Sequence, residues 1–314
     1  MADRHADRIA ADRIAADWIA VDWGGSHLRL WVMDGGGRVL DRRRSDRGAD
    51  RLAPGDFEPA LLDLIGDTLP RGRATPVICC GMAGARRGWA EAPRRAVPCP
   101  PGGIAGAARP ATADPRLEVH LLPGLCQPAP ADVMRGAETR IAGWLAAHPD
   151  FDGVLCLPGA RCRWAHLSAG EVVSFRSFMT GEMFALLSRH SILRHSVAAE
   201  GLDGAVFAEA VAHAMSRPAA VAGDLFAIRA RSLLADPDPV AARSRLSGLL
   251  IGIELAGARP YWLGRDVAVV GTGPLADAYE AALAAQGLTA RRGDGEEATL
   301  NGLRAAHAEL AGRR

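Results

Sequence analysis

The sequence predicts an α/β protein of two like domains, each a mixed sheet flanked by helices. Three observations predict it. An apolar strand, Ile19-Ala20-Val21, runs into Asp22-Trp23-Gly24-Gly25-Ser26, and a second strand (Leu28, Leu30, Trp31, Val32) follows at once, with Gly35-Gly36-Gly37 as the next hairpin. The same layout returns at Val154-Leu155-Cys156-Leu157, broken by Pro158-Gly159-Ala160, resumed from Cys162 to Leu167, turned at Ala169-Gly170 and resumed in Val172, Val173 and Phe175. Between and after these units, apolar strands alternate with stretches of helical spacing.

Two domains that each offer a glycine hairpin form a phosphate clamp, the layout of the actin, hexokinase and Hsp70 class. The expected architecture is therefore a two-domain actin-like ATPase (ribonuclease H-like) fold. Residues 18–149 make the first domain with the phosphate-1 hairpin. Residues 150–314 make the second, with the phosphate-2 hairpin and an adenosine site, and the last helix (296–310) is expected at the domain interface. Chance likeness among short hairpins is the competing explanation. Residues 1–17 carry a near tandem repeat (Ala6-Asp7-Arg8-Ile9-Ala10, then Ala11-Asp12-Arg13-Ile14-Ala15) and read as a poorly ordered extension without function.

The elements follow in order. A helix is expected from about Asp56 to Asp67, then a buried strand, Pro76 to Cys80, that ends in Gly81-Met82-Ala83-Gly84-Ala85. That loop, with Arg86, Arg87 and Trp89 behind it, suits either a cleft lining or a plain connection. Pro98 to Pro110 reads as irregular, Glu118 to Leu122 as a strand closing on Pro123-Gly124, and Met134-Arg135-Gly136 as the entry to a helix carrying Glu138 and Trp144. In the second half, Thr180 is the expected N-cap of a helix with Met183, Leu186 and Leu187. Helices follow at Gly204 to Ser216, Ala219 to Leu234 and Pro239 to Gly257; Gly248 and Gly252 inside the last imply close packing or a ligand. Val267 to Val270 then delivers Gly271-Thr272-Gly273 to a helix from Pro274, followed by a strand near Leu288 and the final helix.

Composition narrows the function. The 314 residues are 49% hydrophobic, enough for a large core, and carry a formal charge of +1, which gives no electrostatic footprint for nucleic acid. Six cysteines show no metal-ligand spacing and read as thiols of a cytoplasmic protein, and no run is long and apolar enough for a membrane span or signal peptide. The expected partners are small molecules, with a homodimer as an open assembly state.

The chemistry-bearing residues suit phosphoryl transfer. Adjacent glycines let backbone amides approach an anion, Ser26 adds a hydroxyl, and Asp22 at a strand end can hold the hydrated Mg²⁺ that accompanies ATP. Gly-Gly between strands is also a plain turn signal. The Gly271-Thr272-Gly273 turn before a helix suits the adenosine of ATP, and it lacks the spacing of a dinucleotide-binding fingerprint.

At this level of detail the chain resembles the 2-dehydro-3-deoxygalactonokinases. The resemblance runs through Val21-Asp22-Trp23-Gly24, Gly81-Met82-Ala83-Gly84, Gly88-Trp89, Glu91-Ala92-Pro93, Pro123-Gly124-Leu125, Met134-Arg135-Gly136 and Leu157-Pro158-Gly159. It continues through Phe175-Arg176, Met179-Thr180-Gly181-Glu182, Leu246 to Gly252 and Gly271-Thr272. It implies transfer of the γ-phosphate of MgATP to the terminal 6-hydroxyl of 2-dehydro-3-deoxy-D-galactonate, in galactonate degradation.

On that reading Asp22 holds Mg²⁺, Gly24, Gly25, Ser26, Gly159 and Ala160 hold phosphates, and Gly271, Thr272 and Gly273 sit by the adenosine. Glu138 is the expected base, with Asp22 as its rival. Arg135 is the first choice for the substrate carboxylate, ahead of Arg176 and Arg86, with Gly84 and Trp89 lining the substrate site. The chain departs from the family pattern where Ala160-Arg161 replaces a Thr-His pair and Ala137 replaces the first of two glutamates, and also at Ala85, Arg94 and Gly25-Ser26-His27. Two alternatives stay open: a catalytically impaired relative, and a kinase for another keto-deoxy sugar acid.

Overall fold

The structure is a computed structural model that describes residues 14–313. The repeat Ala6 to Arg13 lies outside the described residues, but the end of the expected extension belongs to the fold. Ala16 is fully buried and its amide donates to Thr68 O at 3.0 Å, while Asp17 accepts from the Gly35 amide at 2.7 Å and pairs with Arg73 at 2.9 Å.

The chain divides into two compact units, residues 1–149 with 297–314, and residues 150–296. In unit 1, β1 (Trp18–Trp23), β2 (Leu28–Met33) and β3 (Val39–Ser45) form an antiparallel meander. β4 (Thr75–Gly81) then pairs parallel to β1, and β6 (Leu117–Leu121) parallel to β4, giving the order β3-β2-β1-β4-β6. The period-2 alternation of β1 splits its side chains between two cores. Ile19, Val21 and Trp23 meet helix α1 (Phe57–Ile65), whereas Trp18 and Ala20 meet the last helix of the chain. A small sheet of β5 (Arg94–Ala96), β7 (Gly124–Gln127) and β8 (Asp132–Met134), which the sequence does not announce, flanks this unit before helix α2 (Ala137–Ala147).

Unit 2 repeats the plan. β9 (Gly153–Leu157), β10 (Cys162–Ser168) and β11 (Glu171–Phe178) form the meander, turned at Ala169 and Gly170, whose φ values are +50° and +77°. β12 (Val267–Val270) and β13 (Arg291–Gly293) add in parallel, in the order β11-β10-β9-β12-β13. The two sheets thus share one strand order and one set of directions, as the duplicated hairpins imply.

Helices α3 (Thr180–His190), α4 (Gly204–Ser216), α5 (Val221–Leu234), α6 (Pro239–Gly257), the short α7 (Arg259–Trp262) and α8 (Gly273–Ala284) complete unit 2. Packing explains Gly248 and Gly252. A Cβ on Gly248 would stand 2.6 Å from Phe207 O, and one on Gly252 2.7 Å from the Ala214 Cβ, so α4 and α6 cross backbone to backbone. Between α6, β10 and α8 the buried Glu254 accepts from Trp164 Nε1 at 2.8 Å and from Tyr279 OH at 2.6 Å, which satisfies an acid placed in an apolar core.

Two sequence expectations are corrected here. The last helix, α9 (Gly295–Ala311), does not remain with the second domain: Leu300, Leu303, Ala306 and Leu310 pack under Trp18, Ala20 and Ile78, so residues 297–314 belong to unit 1. Thr180 is the first residue of α3, not its N-cap; Met179 holds that place and Thr180 is buried. Among the described residues no helix is long and apolar enough to cross a membrane.

Candidate active site

In unit 1, β1 and β4 run parallel and end together, with Asp22 opposite Cys80 and Trp23 opposite Gly81. Their C-terminal ends, the edge where α/β folds place ligands, carry the Gly24 to His27 hairpin and the Met82 to Ala90 loop. The first hairpin opens onto a cavity of about 580 Å³ lined by Asp22, Gly24, Ser26, Arg29, Arg44 and Asp46 among others. Asp22 reaches it with a side chain 15% exposed, its Oδ2 accepting from Arg29 Nη2 at 2.5 Å and its Oδ1 facing the Cys80 thiol at 3.8 Å. Strand register explains the row, since Asp22 lies opposite Arg29 and Arg29 opposite Arg44.

The three phosphate-loop residues differ in what they have left to offer. The Gly24 amide donates to His27 O at 2.9 Å and is used within the hairpin, which corrects its expected role. Among the described residues neither the Gly25 nor the Ser26 amide donates to a protein acceptor. A Cβ on Gly25 would stand 2.5 Å from the tip of the exposed Asp50 side chain, so a larger residue there would have to turn that carboxylate aside.

Glu138 differs from expectation in exposure. It lies in the first turn of α2, is fully buried, and its Oε1 accepts from the Gly136 amide at 2.7 Å. That is the geometry of a helix-start acid whose Oε1 satisfies one backbone donor, rather than of a base facing solvent. Glu138 and Asp22 do act on a common neighbour: burial first, then Asp22, Cys79 and Glu138, push the Cys80 thiol far above its ordinary range.

Arg135 is likewise occupied. Its Nη2 donates to Ala92 O at 2.6 Å and its Nη1 to Leu122 O at 3.3 Å, tying the loops after β4 and β6 together, and burial lowers its pKa. Gly84 packs against it, a Cβ there lying 3.0 Å from Arg135 Nη1. Trp89 is half-buried, its ring 6.1 Å from Phe57 and 6.2 Å from Trp23, so it belongs to the aromatic floor of this loop. Arg86 and Arg87 are exposed on the same loop and have no protein partner among the described residues.

In unit 2 the Pro158 to Arg161 loop rests on the start of α3. The Glu182 amide donates to Ala160 O at 2.8 Å, and a Cβ on Gly181 would stand 2.4 Å from Gly159 O. Arg161 pairs with Glu182 at 3.3 Å. Gly271 meets the same loop, a Cβ there being 3.4 Å from Pro158 Cδ, while Thr272 and Gly273 are exposed. Arg176 is exposed on β11. A cavity of about 330 Å³ opens between α3, α6 and α8, lined by Thr180, Gly181, Phe184, Arg243, Pro274 and Leu275 among others. It lies just beyond the Gly271-Thr272-Gly273 turn that the sequence singles out.

Sequence reasoning missed Arg29 and Arg44 and the apolar pocket beside α8. The signal for Arg29 was present: in a tight hairpin, Asp22 and a residue seven positions on fall opposite each other. No sequence signal gathers Phe184, Arg243 and Leu275.

A family model described as DGOK, 2-keto-3-deoxy-galactonokinase, matches residues 22–306. The chain belongs to the 2-keto-3-deoxy-galactonokinase family. A Rhizobium meliloti protein named as a probable 2-dehydro-3-deoxygalactonokinase is 40% identical over 289 residues, covering 90% of this chain and 94% of its own length. The Escherichia coli 2-dehydro-3-deoxygalactonokinase is 31% identical, covering 91% and 96%. A Sinorhizobium meliloti crystal structure described as a protein of this kind superposes with a TM-score of 0.85 at 38% identity, covering 93% of this chain and 96% of that one. Component A of the Acidaminococcus fermentans (R)-2-hydroxyglutaryl-CoA dehydratase shares the fold, with a TM-score of 0.51 at 12% identity. The family match spans both sheets and so includes the two hairpins, the Arg135 staple and the α8 turn of this 2-keto-3-deoxy-galactonokinase relative.

Proposed function

We infer that the protein is an ATP-dependent sugar-acid kinase that phosphorylates the 6-hydroxyl of 2-dehydro-3-deoxy-D-galactonate. The observation that carries the reading is the duplicated strand, glycine hairpin and strand, with an acid at the first strand end opening onto a polar cavity. Within unit 1, Asp22 and the Gly25 and Ser26 amides are the proposed phosphate and metal groups; within unit 2, Gly159 and Ala160 are the proposed phosphate loop. The pocket of Phe184 and Leu275, beyond Gly271-Thr272-Gly273, takes the nucleoside.

The donor set around Asp22 fits Mg²⁺, which binds through one or two carboxylates and completes its shell with water and phosphate oxygens. Asp22, with Asp46 in the same cavity, would hold it. When bound, the ion neutralises charge on the transferring phosphate. Arg29 fixes the Asp22 carboxylate and presents a second cation to the phosphates. Asp22 is also assigned the proton of the substrate hydroxyl, because it lines the cavity whereas Glu138 is fully buried with its Oε1 bonded to the Gly136 amide. With Arg135 engaged by main-chain carbonyls, Arg86, exposed beside Arg87 on the loop after β4, is the cation assigned to the substrate carboxylate, with Arg176 as the alternative. None of the six cysteines is in a disulfide, which suits the reducing cytoplasm.

A second reading, nucleotide or sugar-acid binding without turnover, is favoured by one feature. Ala160 brings no hydroxyl to the second loop, and Arg161 is held by Glu182 at 3.3 Å. A coupled assay of ADP release with MgATP and 2-keto-3-deoxygalactonate, beside its gluconate-series epimer, tests both. Release that depends on the galactonate-series acid supports the kinase. Release with the epimer alone redirects it to another sugar acid, and nucleotide binding without release supports the second reading.

A further inference from the structure

The pocket assigned above to the nucleoside, a reading on which this inference rests, offers a base much to stack against and little that reads its edge. Phe184, Leu250 and Leu275 give it an apolar lining. Its polar side chains are Thr180, Ser247, Arg189 and Arg243, with no carboxylate or carboxamide among them. Adenine presents an amino donor beside acceptor nitrogens, whereas guanine presents acceptors at O6 and N7 together with donors at N1 and its N2 amino group, for which this lining likewise holds no carboxylate. To prefer adenine, a side-chain lining would have to hold an acceptor for its amino group, and two hydroxyls and two guanidinium groups do not supply a dedicated one.

The arginines lean the other way. The Arg243 guanidinium carbon lies 4.8 Å from the Phe184 ring centroid, and its Nη1 donates to Ala198 O at 3.3 Å, so the group is held over the ring with other N–H groups to spare. Arg189 is exposed and has no protein partner among the described residues. Guanidinium donors pair well with the O6 and N7 acceptors of guanine. We propose that this pocket accepts purine nucleotides without selecting adenine, so that GTP serves as a second phosphoryl donor. The transfer is the same: a bond forms between the substrate hydroxyl oxygen and the γ-phosphorus as the bridging P–O bond breaks. GDP leaves with the electron pair, and the hydroxyl proton passes to Asp22 or water.

Magnitudes separate the outcomes. A site built to hydrogen-bond one partner rejects the analogue that leaves its groups unpaired by about 10⁴-fold or more, whereas an apolar pocket discriminates by about 10- to 200-fold. The experiment uses the full chain with one sugar acid and compares initial rates with MgATP, MgGTP and MgUTP, alongside calorimetric binding of ADP and GDP. The expected result is kcat/KM for GTP within about tenfold of that for ATP, with UTP at least about tenfold below both because a pyrimidine covers less of Phe184. Arg243→Ala should lower kcat/KM for GTP more than for ATP. GTP used about 10³-fold less well than ATP, with GDP not binding, would overturn the inference and leave the kinase standing. Binding of both diphosphates with turnover of neither triphosphate would support the pocket and overturn the kinase. UTP matching the purines, or no diphosphate binding, would overturn the pocket assignment.

Discussion

Asp22 and Arg29 face each other across the β1–β2 pair, and Arg29 Nη2 donates to Asp22 Oδ2 at 2.5 Å. The pair sits at the cavity of the first hairpin, so one carboxylate is both oriented by a cation and open to a ligand. Because strand register sets the geometry, replacing either side chain should leave the sheet intact.

On the proposed roles of Asp22 as metal holder and proton acceptor, Asp22→Asn should lower kcat by about 10³-fold or more, because it removes the charge while keeping the shape. Arg29→Ala should lower kcat/KM for ATP by about 10- to 100-fold, as expected for loss of a charge-assisted hydrogen bond. Steady-state kinetics on both variants, with circular dichroism as the fold control, provides the check. Full activity in Asp22→Asn would remove Asp22 from the site.

Glu138 divides two roles that sequence alone leaves together. As a buried acid bonded to the Gly136 amide, it should tolerate Glu138→Gln, which keeps an oxygen acceptor, with kcat reduced less than about tenfold. Glu138→Ala should lower stability by about 1–3 kcal/mol, because a buried amide then loses its partner. Urea denaturation and rates on the same samples separate the two effects. A collapse of kcat in Glu138→Gln with normal stability would restore Glu138 as the base.

The arginines should divide in the same manner. Arg135→Ala should cost about 2 kcal/mol of stability through the freed carbonyls of Ala92 and Leu122, and leave KM for the sugar acid within about threefold. Arg86→Ala should raise that KM by about tenfold or more at unchanged stability. Opposite behaviour of the two variants would return the substrate carboxylate to Arg135.

Much of the architecture is legible because apolar alternation and glycine turns are local signals. The strand, hairpin and strand units at Asp22 and at Gly159 are visible in sequence, and the structure places each at the head of a five-stranded sheet with the same strand order. The home of α9 is not legible. Leu300 and Leu303 show that the helix has a buried face, but nothing local says that the face belongs under Trp18, nearly the whole chain length away. Site roles fail for a related reason. Whether Arg135 or Glu138 is free for a ligand depends on which carbonyls and amides the fold brings beside it, and those partners come from other loops.

Helices α2 and α9 meet at Gly143 and Gly302, where a Cβ would stand 1.7 Å from Ala298 O and 1.9 Å from Thr139 O. Gly302→Ala should therefore push the helices apart and destabilise unit 1 by about 3 kcal/mol, although alanine favours helices elsewhere. Gly312→Ala on the same terminal segment, where the nearest atom to a Cβ is 3.6 Å away, is the control and should be close to neutral. Equal urea midpoints for the two variants would contradict the close crossing.

Stability should also fall in alkaline solution, and the buried thiols give the sign. Burial raises the pKa of Cys79, Cys80, Cys156 and Cys162 in the folded chain. In the unfolded chain these thiols ionise near about 8.5. Above that pH the unfolded state holds fewer protons than the native state, so the free energy of unfolding decreases as pH rises. Each such thiol contributes a slope of at most about 1.4 kcal/mol per pH unit, and below about pH 8 the contribution is flat. Urea midpoints between pH 7 and 10 should drop only over the upper half of that range. Cys80→Ala, which removes the thiol beside Asp22, should make the drop shallower; a midpoint constant to pH 10 would mean that these thiols reach solvent in the native state.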